Sequence, residues 1–461
     1  MELSIAKKEA LKAFLGSMGE AHLIMLVNAM DYARKNGVED IPYEFILSIL
    51  RPTLFQIRPP RKGTAQRILC NPFEDLLTPG SPSEKIPTYI ARSSLAPVWQ
   101  WLQKEGGIDF DRLCALVEES IAGDDMEAHE IAAANLWSKA VEVMENAIKT
   151  AQQNAASENK LHKALGGGDV FEDMKEMCKI LHVAPELESL KKTLPTKPIT
   201  RFLDKHIISV KDAYDNASEV YPGYESWVVV AVMRRLFKQA EILKVIKSLT
   251  PEGDDHIIAI SDLAVVGEAV IRDLDANVET ILNMVSSGGS EETLLGLIQQ
   301  YVDSFQQITG NLNIRRDGDW GRHLFDTRKK VADALDRAVI SQSPAKLAGA
   351  LKQRNVKKGR ISRKISDLRG DLDKESYRIA RSAARSMREC LKLSEKIGLQ
   401  AKTRQVANEM AGQLEQFSDQ LLEDIHSVPE EYKARAREHV IMVAHLMEYL
   451  VDSDQADLFL R

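Results

Sequence analysis

Aromatic residues make up only 6% of this 461-residue chain, and its four cysteines, Cys70, Cys114, Cys178 and Cys390, are widely scattered. Few aromatics among many Ala, Leu, Glu, Lys and Arg residues argue for helix-on-helix packing and against a β-sandwich. Cysteines without a CxxC pair exclude a disulfide framework and zinc-type spacing, and fit a reducing compartment. Long apolar runs are missing too. SWVVVAVM is too short, and HIIAISDLAVVGEAVI is interrupted by Asp262 and Glu268, so neither crosses about 30 Å of hydrocarbon as a helix. The N-terminal MELSIAKKEALKAF carries charge where a secretory signal needs an apolar stretch. These absences predict a cytoplasmic protein with no membrane span.

Linear catalytic motifs are equally scarce. No P-loop, dinucleotide fingerprint or Gly-x-Ser-x-Gly elbow occurs. The GGGD stretch at 166–169 offers backbone donors at a helix start, but Asp169 competes for them, so it reads as a cap and hinge. His439 and His445 lie six residues apart and point about 120° from each other on a helix, so they cannot share a metal ion. Glu423 and His426 have the di-iron spacing, but no second Glu-x-x-His accompanies them. No catalytic, cofactor-binding or metal-ligating residue is assigned, and no cofactor is expected.

What is present is helical patterning. An all-α fold is predicted, an irregular multi-helix bundle array with a solenoid-like stack as its variant, carrying a proline-rich non-helical arm near the N-terminus. Eight of the sixteen prolines fall between Arg51 and Pro97, where they break long helices. Ile68, Leu69, Phe73, Leu76 and Leu77 within that arm would be costly to leave wet and should anchor it, with one short strand pair. The expected organisation is N-terminal helices at 1–50, the arm at 51–97 and a helical N-terminal half at 98–184. A linker at 185–198, a central helical domain at 199–355, a basic connector at 356–370 and a long-helix bundle at 371–461 complete it.

Charge is unevenly placed. The chain carries −7 overall, yet residues 346–388 hold fourteen Lys/Arg against four Asp/Glu. Projected on a helix at 100° per residue, Lys374, Arg378, Arg381, Arg385, Arg388, Lys392 and Lys396 share one strip about 33 Å long, opposite an Ala-rich face. Asp371–Lys374, Glu375–Arg378 and Arg385–Glu389 are the local pairs that could offset it. Connector residues Lys357, Lys358, Arg360, Arg363 and Lys364 add flexible cations beside this rigid row. Such a strip suits an acidic ridge such as Glu415, Asp419 and Glu423, an acidic protein partner, or phosphate. It lacks Asn, Gln and stacking aromatics with which to read bases.

The leading expectation is therefore a non-catalytic interaction protein (a scaffold, adaptor or regulatory component, with a homodimer allowed) that meets an acidic protein through 357–396. A non-specific nucleic-acid-associated protein using the same strip is the alternative. An all-α enzyme with no linear motif is the third class, to be revived by a deep pocket holding a buried carboxylate or histidine.

Overall fold

The computed structural model describes residues 5–35, 42–43, 45–47, 49–50, 63–78, 84–123, 125–250, 261–358, 361–368 and 370–460, with only the backbone described at 5–8, 10, 20–21, 28, 31–32, 34–35, 356–358 and 361–364. Among them are twenty α-helices and two two-stranded sheets, an all-α multi-helix array. Two compact units divide the chain: residues 1–270 with 311–313, and residues 271–310 with 314–461.

In the first unit, α1 (Ile5–Gly16) and α2 (Glu20–Lys35) flank the break expected at GSMG, and Leu15, Leu23, Met30, Ile46 and Leu50 form a core there. Residues 51–62 and 79–83 of the proline-rich segment lie outside the described residues. The described remainder is more helical than expected. Thr64 caps α3 (Ala65–Cys70) by accepting the Arg67 N–H, and a 3-10 turn follows at Asn71–Leu76. The anchors Ile68, Leu69, Phe73 and Leu76 are buried. β1 (Leu77–Thr78) pairs in parallel with β2 (Ile90–Ala91), the short strand pair expected in this segment.

α4 (Leu95–Glu105), α5 (Gly107–Gly123) and α6 (Met126–Gln153) follow, with Asp125 capping α6 through the Ala128 N–H. The helical run is interrupted at Asn154. Its backbone turns extended, and its side chain accepts the Ser157 N–H to start α7 (Ala155–Leu165). Gly166, at φ +90°, closes α7, and α8 (Gly168–His182) begins with Gly167 at the cap. Asp169 lies in the first turn of α8 and is not its cap. The expected linker at 185–198 is largely α9 (Ala184–Thr193), which starts with a proline at the tolerated first turn and buries Leu187 and Leu190.

α10 (Asp204–Val220) precedes α11 (Ser226–Met233), whose eight residues are all buried. α11 stops at Met233, where Arg234 and Arg235 turn inward. Arg235 reaches the Asp75 carboxylate at 2.8 Å, which also meets Lys197 at 2.7 Å and Lys191 at 3.8 Å. Burial alone would raise the Asp75 pKa, but these three cations outweigh it and hold it below the usual carboxylate range. α12 (Leu243–Leu249) follows, and α13 (Ala264–Ser286) runs from the first unit into the second.

The second unit continues with α14 (Glu291–Asn311), α15 (Asp319–Ala338) and α16 (Ser343–Ala350). Tyr301 on α14 is fully buried and shares a 3.2 Å hydrogen bond with Thr327 on α15. Where a flexible basic connector was expected, β3 (Gln353–Lys358) and β4 (Ile361–Ser366) form an antiparallel ribbon. α17 (Lys374–Ile397), α18 (Gln400–Ile425) and α19 (Lys433–Leu450) are the three long helices expected, and α20 (Ser453–Leu460) ends the description. Ala380, Ala383, Ala384, Met387 and Cys390 of α17 are buried, and small side chains there let α16 pack closely. No helix among the described residues is long and apolar enough to cross a membrane.

Candidate anion-binding surface

Asp373 starts the basic helix. Its carboxylate accepts the Ser376 N–H at 3.1 Å, and Lys352 lies 2.8 Å away, holding Asp373 well below the usual carboxylate range. Gly398, in the left-handed region at φ +85°, ends the helix with its N–H on the Ser394 carbonyl. Between these caps, Lys374, Arg378, Arg381, Arg385, Arg388, Lys392 and Lys396 are all exposed. All seven lie on the one helix α17.

Its neighbours are not all those predicted. Arg378 does pair with Glu375, at 2.6 Å. Asp371 instead meets Arg435 at 2.8 Å, Glu389 meets Lys392 at 2.9 Å, and Arg385 approaches Glu292 on α14 at 3.6 Å. Arg388 donates to the Glu448 carbonyl near the end of α19 at 3.3 Å. Arg381 hydrogen-bonds the Tyr449 side chain, which raises its pKa. Glu415, Asp419 and Glu423 are exposed on α18. Each contact is solvent-exposed and leaves donors facing outward, since a guanidinium has five. Lys374 and Lys396 have no ion-pair partner among the described residues.

The apolar side of α17 also shifts slightly. Ile379 and Leu391, expected inside, are 37% and 38% exposed. Ser386, Leu393, Ser394 and Ile397 take the buried positions beside Ala383 and Met387. Ser386 donates to Glu291 at 2.8 Å, and Glu291 also holds Lys346. A cavity of about 310 Å³ lies between α14 and α17, lined by Glu292, Gln299, Ser382, Arg385 and Glu389. Glu292 and Glu389 place two carboxylates on its wall beside the guanidinium of Arg385.

The predicted cations Lys357, Lys358, Arg363 and Lys364 belong to the β3–β4 ribbon by backbone register, while Arg360 lies outside the described residues. Asn355 pairs with Lys364, Val356 with Arg363 and Lys357 with Ser362. β4 packs on α18, where the buried Asp424 carboxylate accepts the Ser366 N–H at 2.7 Å. Lys352, at the foot of β3, reaches the Asp373 cap of α17. The ribbon is thus tied to the start of α17 through Asp373 and to α18 through Asp424, inside one unit. Sequence reasoning missed Gln353 and Asn355, exposed on β3 beside these cations. Val356 in one six-residue run and Ile361 and Ile365 in the other, around a two-residue gap containing Gly359, were the available signal.

The first unit holds a different polar cluster. Asp173 on α8, 1% exposed, accepts the Ala91 N–H at 3.0 Å and the Ser94 hydroxyl at 2.6 Å, and pairs with Lys85 at 2.6 Å. Glu176 one turn on takes Lys85 at 2.7 Å and the Thr88 N–H at 2.8 Å. Asp173, Lys85 and the GGGD stretch line a cavity of about 190 Å³. A buried carboxylate in a cavity is the feature that a motif-free active site would need. Here Asp173 Oδ2 accepts from Ala91 and Ser94 while Oδ1 faces Lys85 as an ion pair, which pins residues 85–94 to α8. No group of His, Cys, Asp and Glu fit to hold a metal ion occurs among the described residues. Comparison of the chain with protein-family models, curated proteins and solved structures finds no match.

Proposed function

We propose that this protein works by binding, as a scaffold, adaptor or regulatory component, and that its contact surface for an anionic macromolecule is the cationic face of the second unit. The observation that carries this reading is the row of seven exposed cations along α17. Like charges at i, i+3 and i+4 oppose one another mildly, and single changes to Glu would relieve them. Three of the seven have carboxylate partners in exposed contacts, Arg378 with Glu375, Arg385 with Glu292 and Lys392 with Glu389. The net charge of −7 over the whole chain makes the local excess a directed one, able to steer a partner to this face.

An acidic protein surface and a phosphate backbone both complement such a face, and a second copy presenting Glu415, Asp419 and Glu423 is the homodimeric form of the first. A cytoplasmic setting is proposed on the scattered cysteines. The test is titration of labelled polyglutamate and labelled duplex DNA with the protein at low and near-physiological salt, in parallel with size-exclusion chromatography. Binding that weakens with salt supports the reading. No binding to either polyanion at low salt, from a folded monomer, overturns it.

A further inference from the structure

We infer that a cavity walled by α6 and α9 in the first unit is a small-molecule site, and that its ligand is a neutral aromatic compound carrying a hydrogen-bond donor. The cavity measures about 340 Å³, toward the lower end for small-molecule sites and room for about two fused rings. α6 lines it with Met126, His129, Ala133 and Trp137, at the i, i+3, i+7 and i+11 spacing of one helix face. α9 adds Pro185 and Ser189, and α3 adds Ile68. This inference is independent of the cationic surface, which belongs to the second unit.

The apolar lining suits an aromatic body. Trp137 is buried, and its indole Nε1 donates to the Ile68 carbonyl at 2.9 Å. The ring is therefore fixed and its polar end spent, so it has only apolar surface to give a ligand. Met126 is exposed and brings a polarizable thioether, a group that favours contact with aromatic rings. The small buried Ala133 leaves the space between these side chains open.

Charge beside the cavity is already matched. Glu130 pairs with Lys192, and Glu188 meets Lys191 at 2.7 Å. A charged ligand would have to compete for one of these pairs, whereas a neutral ligand would not. The polar group left over is on His129. Ser120 on α5 donates its single hydroxyl proton to the Val117 carbonyl at 2.8 Å. In its 3.2 Å contact with His129 Nδ1, the nitrogen must then supply the hydrogen. Nε2 of the neutral ring is thereby an acceptor, and it has no hydrogen-bond partner among the described residues. An O–H or N–H on the ligand is its complement.

Ligand-observed NMR titration of the full chain with indole, 1-methylindole and indole-5-carboxylate tests this. Indole supplies two fused rings and one N–H, and 1-methylindole has the same body without the donor. Indole should bind saturably with a Kd on the order of 1 mM or tighter. The other two should each bind at least about threefold more weakly. Ala134→Leu, at a half-buried position lining the cavity, should abolish saturable binding while the helical signal stays. His129→Phe keeps a ring and should remove the preference for indole over 1-methylindole. Should either variant misfold, the three compounds on the unaltered protein still decide. Equal binding of indole and 1-methylindole overturns the donor assigned to His129, and tighter binding of the carboxylate overturns the neutral class. No saturable binding of indole, or binding that a folded Ala134→Leu variant retains, overturns the site and leaves the cationic surface standing.

Discussion

Asp424 accepts the Ser366 N–H at 2.7 Å, and both residues are buried. One carboxylate on α18 thus fixes the end of a ribbon whose other strand is tied to α17. Asp424→Ala removes this acceptor and leaves the Ser366 N–H unpaired, a loss of about 1–3 kcal/mol. Asp424→Asn keeps an acceptor oxygen and should restore most of the stability. The account expects Asp424→Ala to weaken polyanion binding although Asp424 is itself an anion, because the ribbon loses its position. Chemical denaturation and anisotropy read the two effects separately, and tighter binding by the Ala variant would show that charge alone matters there.

Arg378, Arg381, Arg385 and Arg388 changed together to Ala should leave the fold standing. Their contacts with Glu375, Tyr449, Glu292 and the Glu448 carbonyl are exposed and contribute little, and Ala is the best helix former. Circular dichroism should show unchanged helicity and a melting midpoint lowered by a few degrees at most. A cooperative loss of helix would mean that these arginines hold the unit together.

Asp75 faces Arg235, Lys197 and Lys191 in the first unit, with only 2% of its side chain exposed. Asp75→Ala leaves those cations without their shared anion, at a cost of about 3–5 kcal/mol. The native pKa lies below the ordinary value of 3.8, so this stabilisation is complete above that value. It is lost as pH falls through the lower folded-state pKa. Acid denaturation of the wild type should begin below about pH 4, and the variant should lack this part of the pH dependence.

The cysteines are predicted to be inert in the folded protein. Burial pushes Cys70, Cys178 and Cys390 up to about 12 and Cys114 to about 11. At pH 8 the thiolate fraction is then about two to three orders of magnitude below that of a free cysteine. Alkylation should be slow in native buffer and rapid after unfolding. Fast labelling of one residue in the native state would identify a thiol in an environment unlike the one described.

Helix periodicity made most of the fold legible before any coordinates. The α17 face was readable because seven cations and an Ala-rich seam repeat at helical spacing. What escaped depends on partners distant in the chain. SWVVVAVM looked like the start of a long helix, but Arg234 turns to Thr88 and Arg235 to Asp75, well over a hundred residues away. Asn154 inside an Ala-rich run gave a local signal that was outweighed by helix propensity on both sides. At 353–366 six cations dominate the sequence, and Val356, Ile361 and Ile365 are too few and too widely spaced to signal strands over the charge pattern. The strip's own ion pairs show the same limit: Glu389 chose Lys392 over Arg385, which local spacing alone could not decide.

The most direct measurement is the salt dependence of duplex DNA binding by the wild type and by the four-alanine strip variant. If the row on α17 grips phosphates, log K falls linearly with log salt, and the variant's slope is shallower by about 3 to 4, one counterion per lost contact. Identical slopes for the two proteins, with the variant folded, would contradict the account.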